Sequence, residues 1–398
     1  MRGFGKVKTR RREPEEAGAI RLLARTIRGA EWIGAAEVEG RTGARVSGLG
    51  HREIRFRVER LEPGLLELGS LDDLFLIGSD LRDLDHTRAS LAPLAAQAAA
   101  VDHRAALALV RRIRTIPPIP SFTVVASFLG RRNYNRYEIE ESVAGAIRSQ
   151  TNWPHLSTEL EETERANLTF RVHLSDAGGF IGLRLPLMPL HRRPYKVASR
   201  TGTLHPPLAY AMAMLCGLRQ DSAVLDPCCG VGTIPIEAAR LEPSIRTIGS
   251  DLDREVLDQA LSNMREAGRQ LVFMVADAGR VPLADASIDR VICNPPWGRT
   301  VNAGGLLAAD AGRLLREIGR VLRPDGRAAL IAEREIIEQI DLHHSGLKLI
   351  ASIPISLFGT WPNIYLMVPE SSSSISPIDT QSRFGQELER SLDKSRLF

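Results

Sequence analysis

Residues 226–233 read Asp-Pro-Cys-Cys-Gly-Val-Gly-Thr, directly after a short apolar run. That run, residues 223–228, is expected to be a strand, and a helix is expected at once behind the glycines. Gly230 and Gly232 let the backbone turn tightly and come close to a ligand. The helix start behind them offers free N–H groups. A dinucleotide site would carry a third glycine and receive a pyrophosphate there. Here the third glycine is missing and Asp226 precedes the loop. An acid suits a ligand with an ammonium and a sulfonium, not a phosphate. The plainer alternative is a glycine-rich structural turn.

Downstream of this stretch the pattern is regular βα alternation. Strands are expected at 223–228, 247–251, 271–275, 288–293, 327–332, 347–355 and 364–368, with helices between most of them. That predicts an α/β fold, a doubly wound and mainly parallel sheet. Acids recur where such sheets bind ligands, at the carboxyl ends of strands. Asp251, about twenty residues past the glycine loop, is placed for ribose hydroxyls. Asp277 ends the next strand and can take an adenine amino group. Any one of these acids could instead cap a helix, Asp277 and Asp253 above all.

The fourth strand runs into Cys293-Asn294-Pro295-Pro296-Trp297-Gly298. The Asn294 amide oxygen and the Pro295 carbonyl can each accept a hydrogen bond from one planar –NH2 group. Pro295 and Pro296 fix φ, so these acceptors stand pre-positioned. Trp297 offers a face on which a base can stack. The box therefore suits methylation of a planar exocyclic amine, although two prolines and an aromatic can also be a simple turn.

The chain has 398 residues and a net charge of +4, with 43% hydrophobic and 25% charged residues, ordinary for a globular protein of two or three domains. No signal peptide or apolar span is visible, so a cytoplasmic location without a membrane is expected. Four cysteines without paired spacing predict neither disulfides nor a metal site. Cys229 and Cys293 read as packing residues. Basic clusters gather before residue 201: a run from Arg2 to Arg12, then Arg111, Arg112 and Arg114, then Arg131, Arg132 and Arg136, then His191, Arg192, Arg193, Lys196 and Arg200. Any one could be a solvated face; together they predict an anion-binding N-terminal half.

Domain limits follow from the same pass. Residues 1–19 are a basic flexible tail. Residues 20–86 read as an α+β module, with helices at 30–41 and 65–76. Residues 87–186 form a second α+β module, with a helix at 137–150. Residues 187–207 are a proline-stiffened linker, 208–369 the doubly wound domain, and 370–398 a Ser-rich, charged tail expected to be disordered.

The whole constellation resembles the class I S-adenosylmethionine-dependent methyltransferases. More closely it resembles the THUMP-domain RNA guanine-N2 methyltransferases. Asp226 through Thr233 meet the first motif of that family, D-P-x-C-G-x-G-T. Arg193, Tyr195, Lys196, Leu204, Pro206, Leu208 and Ala209 meet its R-x-Y-K and L-x-P-x-L-A segments. Cys228 stands where an aromatic is usual, and Trp297 replaces the commoner Tyr, Phe or His. The resemblance covers about residues 20–369. It implies a ferredoxin-like module over 20–86 and a THUMP module over 87–186.

The resemblance also implies S-adenosyl-L-methionine as cofactor, held by Asp226, Pro227, Cys229, Gly230, Gly232 and Thr233 of the first motif. Asp251, Leu252, Asp277, Ala278 and Asn294 complete that set. Asn294, Pro295, Pro296 and Trp297 become the catalytic box. Arg131, Arg132, Arg136, Arg192, Arg193 and Lys196 become RNA contacts. The implied reaction is methyl transfer to guanosine N2 in tRNA, near the acceptor stem, by direct displacement on a flipped base, in a monomer. Ribosomal RNA, a protein glutamine, and a non-enzymatic RNA-binding role stay open as alternatives.

Overall fold

The computed structural model describes residues 19–157, 166–176, 178–296, 303–340, 344–357, 359–373 and 376–395. The N-terminal run to Arg12 and Trp297 therefore lie outside the described residues.

The N-terminal half begins with β1 (Ile20–Arg25), α1 (Glu31–Thr42), β2 (Arg45–Gly50), β3 (Glu53–Val58) and β4 (Asp73–Leu81). It continues through α2 (Leu91–Ala99), α3 (His103–Val110), β5 (Phe122–Phe128), α4 (Arg136–Thr151), β6 (Leu168–Ser175) and β7 (Gly178–Arg184). The two α+β modules share one seven-stranded sheet, ordered β2-β3-β1-β4-β7-β6-β5, joined by the antiparallel pair β4–β7. Period-two alternation sends Leu22, Ile54, Phe56, Leu76, Phe170 and Val172 into the core under the helices. α4 starts with a capping box, Asn135 and Glu138 bonding each other's backbone N–H groups.

The helix expected at 65–76 is absent. A short 3-10 turn spans Pro63–Glu67, and β4 follows from Asp73. The N–H groups of Gly69 and Ser70 donate to the Glu37 carboxylate at 2.7 and 2.8 Å, so they do not join a helical ladder. A Cβ at Gly69 would lie 2.3 Å from the Tyr210 ring. Tertiary contacts thus override the local helical pattern.

The C-terminal half holds β8 (Ala223–Asp226), β9 (Arg246–Asp251), β10 (Val272–Val275), β11 (Ile288–Cys293), β12 (Leu322–Ala332), β13 (Leu347–Pro354) and β14 (Asn363–Pro369). Their order is β10-β9-β8-β11-β12-β14-β13, parallel except for β14, which runs antiparallel to β12 and β13. Helices α5 (Pro206–Cys216), α6 (Thr233–Leu241), α7 (Arg254–Glu266), α8 (Gly305–Ala309), α9 (Gly312–Val321) and α10 (Arg334–Gln339) lie between or beside the strands. The strand order reverses direction between β8 and β11, the switch point where such sheets open a crevice.

α1 belongs to both halves. Trp32, Ile33 and Ala36 pack with α5 and with the C-terminal segment in one core cluster. That segment corrects the expectation of a disordered tail. Asp379 accepts from Arg219 and Arg290 at 3.0 Å each, and α11 (Gly385–Ser395) lies against α1. Phe384 and Leu388 sit at helical spacing and are buried, and the Ser391 hydroxyl donates to the Trp32 carbonyl at 2.7 Å. Polar composition hid this short amphipathic face. Among the described residues no helix is long and apolar enough to cross a membrane.

Candidate active site

A cavity of about 640 Å³ opens at the carboxyl ends of β8, β9, β11 and β12. The Asp226–Thr233 turn forms its floor. Gly230 and Gly232 both adopt positive φ, +52° and +82°. Space beside Gly230 is open, whereas a Cβ at Gly232 would meet Phe273 at 3.1 Å and Ala260 at 3.2 Å. Pro227, Cys229 and Leu252 line the same cavity.

Asp226 is 1% exposed. Its Oδ1 accepts from the Cys228 N–H at 3.1 Å, while its buried Oδ2 accepts no hydrogen bond of standard geometry. Burial pushes the Asp226 carboxyl well above the usual carboxylate range. The Cys293 thiol beside it is a weak donor and pulls back only slightly. The Thr233 hydroxyl, at the start of α6, is likewise buried without a partner. Unpaired buried polar atoms are costly, so an acceptor and a hydroxyl facing one cavity point to a ligand that completes both.

Asp251 accepts from the Gly230 N–H and from the Asp253 N–H, each at 3.0 Å. It locks the glycine turn to the end of β9 and still keeps lone pairs toward the cavity it lines. Asp277 behaves otherwise. Its Oδ1 accepts from Gly279 and its Oδ2 from Leu306, both at 2.8 Å, and the cavity wall there is Ala276 and Ala278. Its carboxylate holds the turn after β10 to the start of α8. Asp277 itself is not among the residues of the cavity wall, unlike Asp251.

Asn294 directly follows β11 at the cavity, and Pro295 and Pro296 come next in the wall. Its Nδ2 donates to the Gly202 carbonyl at 3.1 Å. This bond occupies the amide nitrogen and leaves Oδ1 as an acceptor. The 200–204 loop that supplies Gly202 was missed in the sequence. Arg200 fastens it to Asp253, the cap of α7, at 2.9 Å. Its signal was the linker segment just before Pro206, read as a proline-stiffened connection and a family motif without a role for Gly202.

All four cysteines are free. Burial pushes the thiols of Cys229 and Cys293 well up, so neither is an activated nucleophile. Among the described residues no group of three or more His, Cys, Asp or Glu is placed to hold a metal ion.

The six basic residues named from the sequence divide. Arg131 and Arg192 are exposed. Arg136 is also exposed and stacks on Tyr137, 4.5 Å from the ring centre. Lys196 is half-buried, and burial lowers its pKa. Arg132 donates to the Asp85 carbonyl at 2.7 Å and to the Tyr134 hydroxyl at 2.8 Å. Arg193 is buried. Its guanidinium pairs with Glu237 at 3.0 and 3.2 Å and also donates to the carbonyls of Leu190 and Gly69. It ties the two halves together and is not available to RNA. A partner 44 residues away is invisible to a count of local charge.

A parallel switch-point sheet, a glycine turn with an acid before it, and an amide-proline box in one cavity define a class I methyltransferase. Comparison with known proteins agrees. The family described as UPF0020, RMKL-like, methyltransferase domain, matches residues 193–340. The tRNA (guanine(6)-N2)-methyltransferase of Thermus thermophilus is 30% identical over 249 residues, 62% of this chain and 72% of the relative. The U6 snRNA (guanine-N(2))-methyltransferase THUMPD2 of Bos taurus is 30% identical over 213 residues, 53% of this chain but only 38% of the relative's length. The crystal structure of TrmN from Thermus thermophilus superimposes with a TM-score of 0.68 at 27% identity, covering 88% of this chain and 99% of that one. The chain belongs to the RNA (guanine-N2)-methyltransferase family.

Proposed function

We propose that the protein transfers a methyl group from S-adenosylmethionine to the exocyclic N2 of a guanosine in tRNA. The observation that carries this reading is the fixed Asn294 amide. Its nitrogen is committed to Gly202, which leaves its oxygen to accept, and Asn294 and Pro295 both line the cavity. An acceptor pair of that kind fits a neutral –NH2 group with two protons to give.

The remaining walls fit the methyl donor. Asp226 Oδ2 would receive the ammonium group and the Thr233 hydroxyl the carboxylate, completing the two unpartnered atoms. Asp251, already braced by the glycine turn, would take the ribose hydroxyls. Ala276 and Ala278 would flank the adenine with small apolar surface. When bound, the cofactor supplies an electrophilic methyl on a sulfonium.

The protein's own part is orientation. The guanine N2 lone pair is delocalised into the ring. Asn294 and Pro295 hold both amino protons and so turn the lone pair toward the methyl. Proximity and alignment of that sort supply most of the acceleration in a direct displacement. The base must leave its helix to enter, which costs a few kcal/mol.

In this reading residues 20–86 form a ferredoxin-like module, 87–186 a THUMP module and 208–369 the catalytic domain of a cytoplasmic monomer. The target lies in or near the acceptor stem, the site named for the Thermus relative being guanosine 6. Ribosomal RNA is the second substrate to test, since a ribosomal RNA large subunit methyltransferase K/L of Aliivibrio salmonicida is 27% identical over 249 residues. Incubation with labelled S-adenosylmethionine and unmodified tRNA, followed by nucleoside analysis, tests the reading; N2-methylguanosine supports it, and label confined to another nucleoside overturns it.

A further inference from the structure

The face of the first sheet opposite its helices carries an excess of arginine. Arg21, Arg25, Arg55, Arg57, Arg171 and Arg184 alternate with core residues and so point to that side. Glu53, Asp73 and Asp80 answer them. Arg25 pairs with Glu53 at 2.7 Å, Arg184 with Asp73 at 2.9 Å, and Asp80 serves both Arg21 and Arg55. Arg57 and Arg171 have no carboxylate partner among the described ion pairs.

The register sharpens this excess. Arg57 stands directly opposite Arg21 on β1 and directly opposite Arg45 on β2. Like charges placed opposite one another destabilise a sheet. Arg57, flanked by two arginines and without a carboxylate of its own among the described ion pairs, gains from an anion laid over it. Arg171 donates to the Ser127 hydroxyl at 2.7 Å. Burial, with Arg25 and Arg184 nearby, pulls its pKa down to about 10, so it remains charged at neutral pH. The small apolar cluster of this face, Leu23, Phe75 and Phe180, contains strand residues only. Arg184 lies over the Phe75 ring at 5.8 Å.

The charged line continues to the cavity. Beyond Arg25 the chain reaches Arg28, whose carbonyl accepts from the Ser356 N–H at 2.9 Å. The Arg28 guanidinium stacks 4.6 Å from the centre of the Trp361 ring. Trp361 is 55% exposed, and its neighbour Pro362 lines the cavity, as does Leu357. An exposed indole, backed by an arginine from the other half of the molecule, thus stands at the cavity mouth.

We propose that this line, from the open sheet face through Arg28 to Trp361, is the track of the substrate RNA's sugar–phosphate backbone. Phosphates lie over Arg57 and Arg171, and a base next to the flipped one stacks on Trp361. The inference rests on the RNA-methylation reading above and adds where the RNA runs. Unpaired guanidinium groups with an aromatic at one end match a polyanion that carries bases. A second copy of the same face would meet like charge.

The test uses the full chain and fluorescently labelled, unmodified tRNA, with affinity measured by anisotropy across a series of KCl concentrations. In the Arg57→Gln, Arg171→Gln double variant the track predicts a log–log salt slope lower by about 1.5 to 2. Its thermal midpoint should be unchanged or higher, because like-charge repulsion has been removed. Trp361→Ala should weaken binding at least about fivefold with little change of slope. S-adenosylmethionine affinity should hold in every variant, which separates loss of the track from misfolding. Wild-type protein that binds and methylates the RNA, with both variants equal to it in affinity and slope, would overturn the track alone. Wild-type protein that neither binds nor methylates RNA at any salt concentration would overturn the functional reading, and the track with it.

Discussion

Replacing Asn294 by alanine separates the base-holding role from the cofactor site. On the proposed reading the substitution removes a side-chain acceptor for the target amine, and with it goes the 3.1 Å bond to Gly202. Loss of one preorganised hydrogen bond in a catalytic site lowers kcat by about 10²- to 10³-fold, about 2.7–4 kcal/mol. The cavity of about 640 Å³ has room for a water to replace part of the amide, which favours the lower end of that range. The Gly202 bond is exposed and contributes about 1 kcal/mol to holding the 200–204 loop. Cofactor affinity should therefore fall by less than about fivefold. Single-turnover methylation with calorimetric cofactor binding on the same protein measures both. A kcat within tenfold of wild type would refute the acceptor role. Intact chemistry with a large loss of cofactor affinity would move Asn294 into the cofactor site.

The buried Asp226 makes a pH prediction. Its raised pKa means that the ligand-free fold keeps a proton that the unfolded chain loses near pH 4, so this residue's contribution to stability falls as pH rises above that point, up to its folded pKa. A bound ammonium favours the carboxylate, so cofactor binding should release a proton below that pKa and strengthen with pH. Calorimetry in buffers of different ionisation enthalpy reads the release, and Asp226→Asn should abolish it; wild-type binding without proton release contradicts the assignment. Glu237 is fully buried and accepts from Arg193, from Tyr195 at 2.8 Å and from Arg240 at 2.7 Å. Glu237→Ala should cost about 3–5 kcal/mol in denaturant unfolding by stranding the Arg193 charge, and a cost under about 1 kcal/mol would show the pair to be dispensable. Gly232→Ala forces a side chain into left-handed backbone against Phe273 and Ala260, so cofactor affinity or stability should drop by about 1–2 kcal/mol, and wild-type values in both would contradict the tight turn.

Local, strongly patterned features were legible in the sequence. The strands around Asp226, Asp251 and Cys293 were buried apolar runs ended by glycine, proline or acid, and the structure puts these ends around one cavity. Features set by distant partners were not legible. Arg193 counted as one more surface base until Glu237 closed on it across the halves. Asp277 sat where a ligand acid belongs, yet two backbone N–H groups claim it. Residues 65–76 had helical spacing, but Glu37 and Tyr210 fix Gly69 and Ser70 in a turn. Nothing in residues 200–204 signals the bond to Asn294, because a backbone carbonyl, that of Gly202, makes it. The tail after Pro369 looked too polar to order, and the ordering comes from two apolar residues and one acid meeting α1 and two arginines.

The measurement that tests the account most directly is methyl transfer from labelled S-adenosylmethionine to bulk unmodified tRNA, digested to nucleosides. The account predicts label in N2-methylguanosine, lost in Asn294→Ala. Label absent from tRNA while the cofactor still binds, or label in a nucleoside other than guanosine, would contradict it.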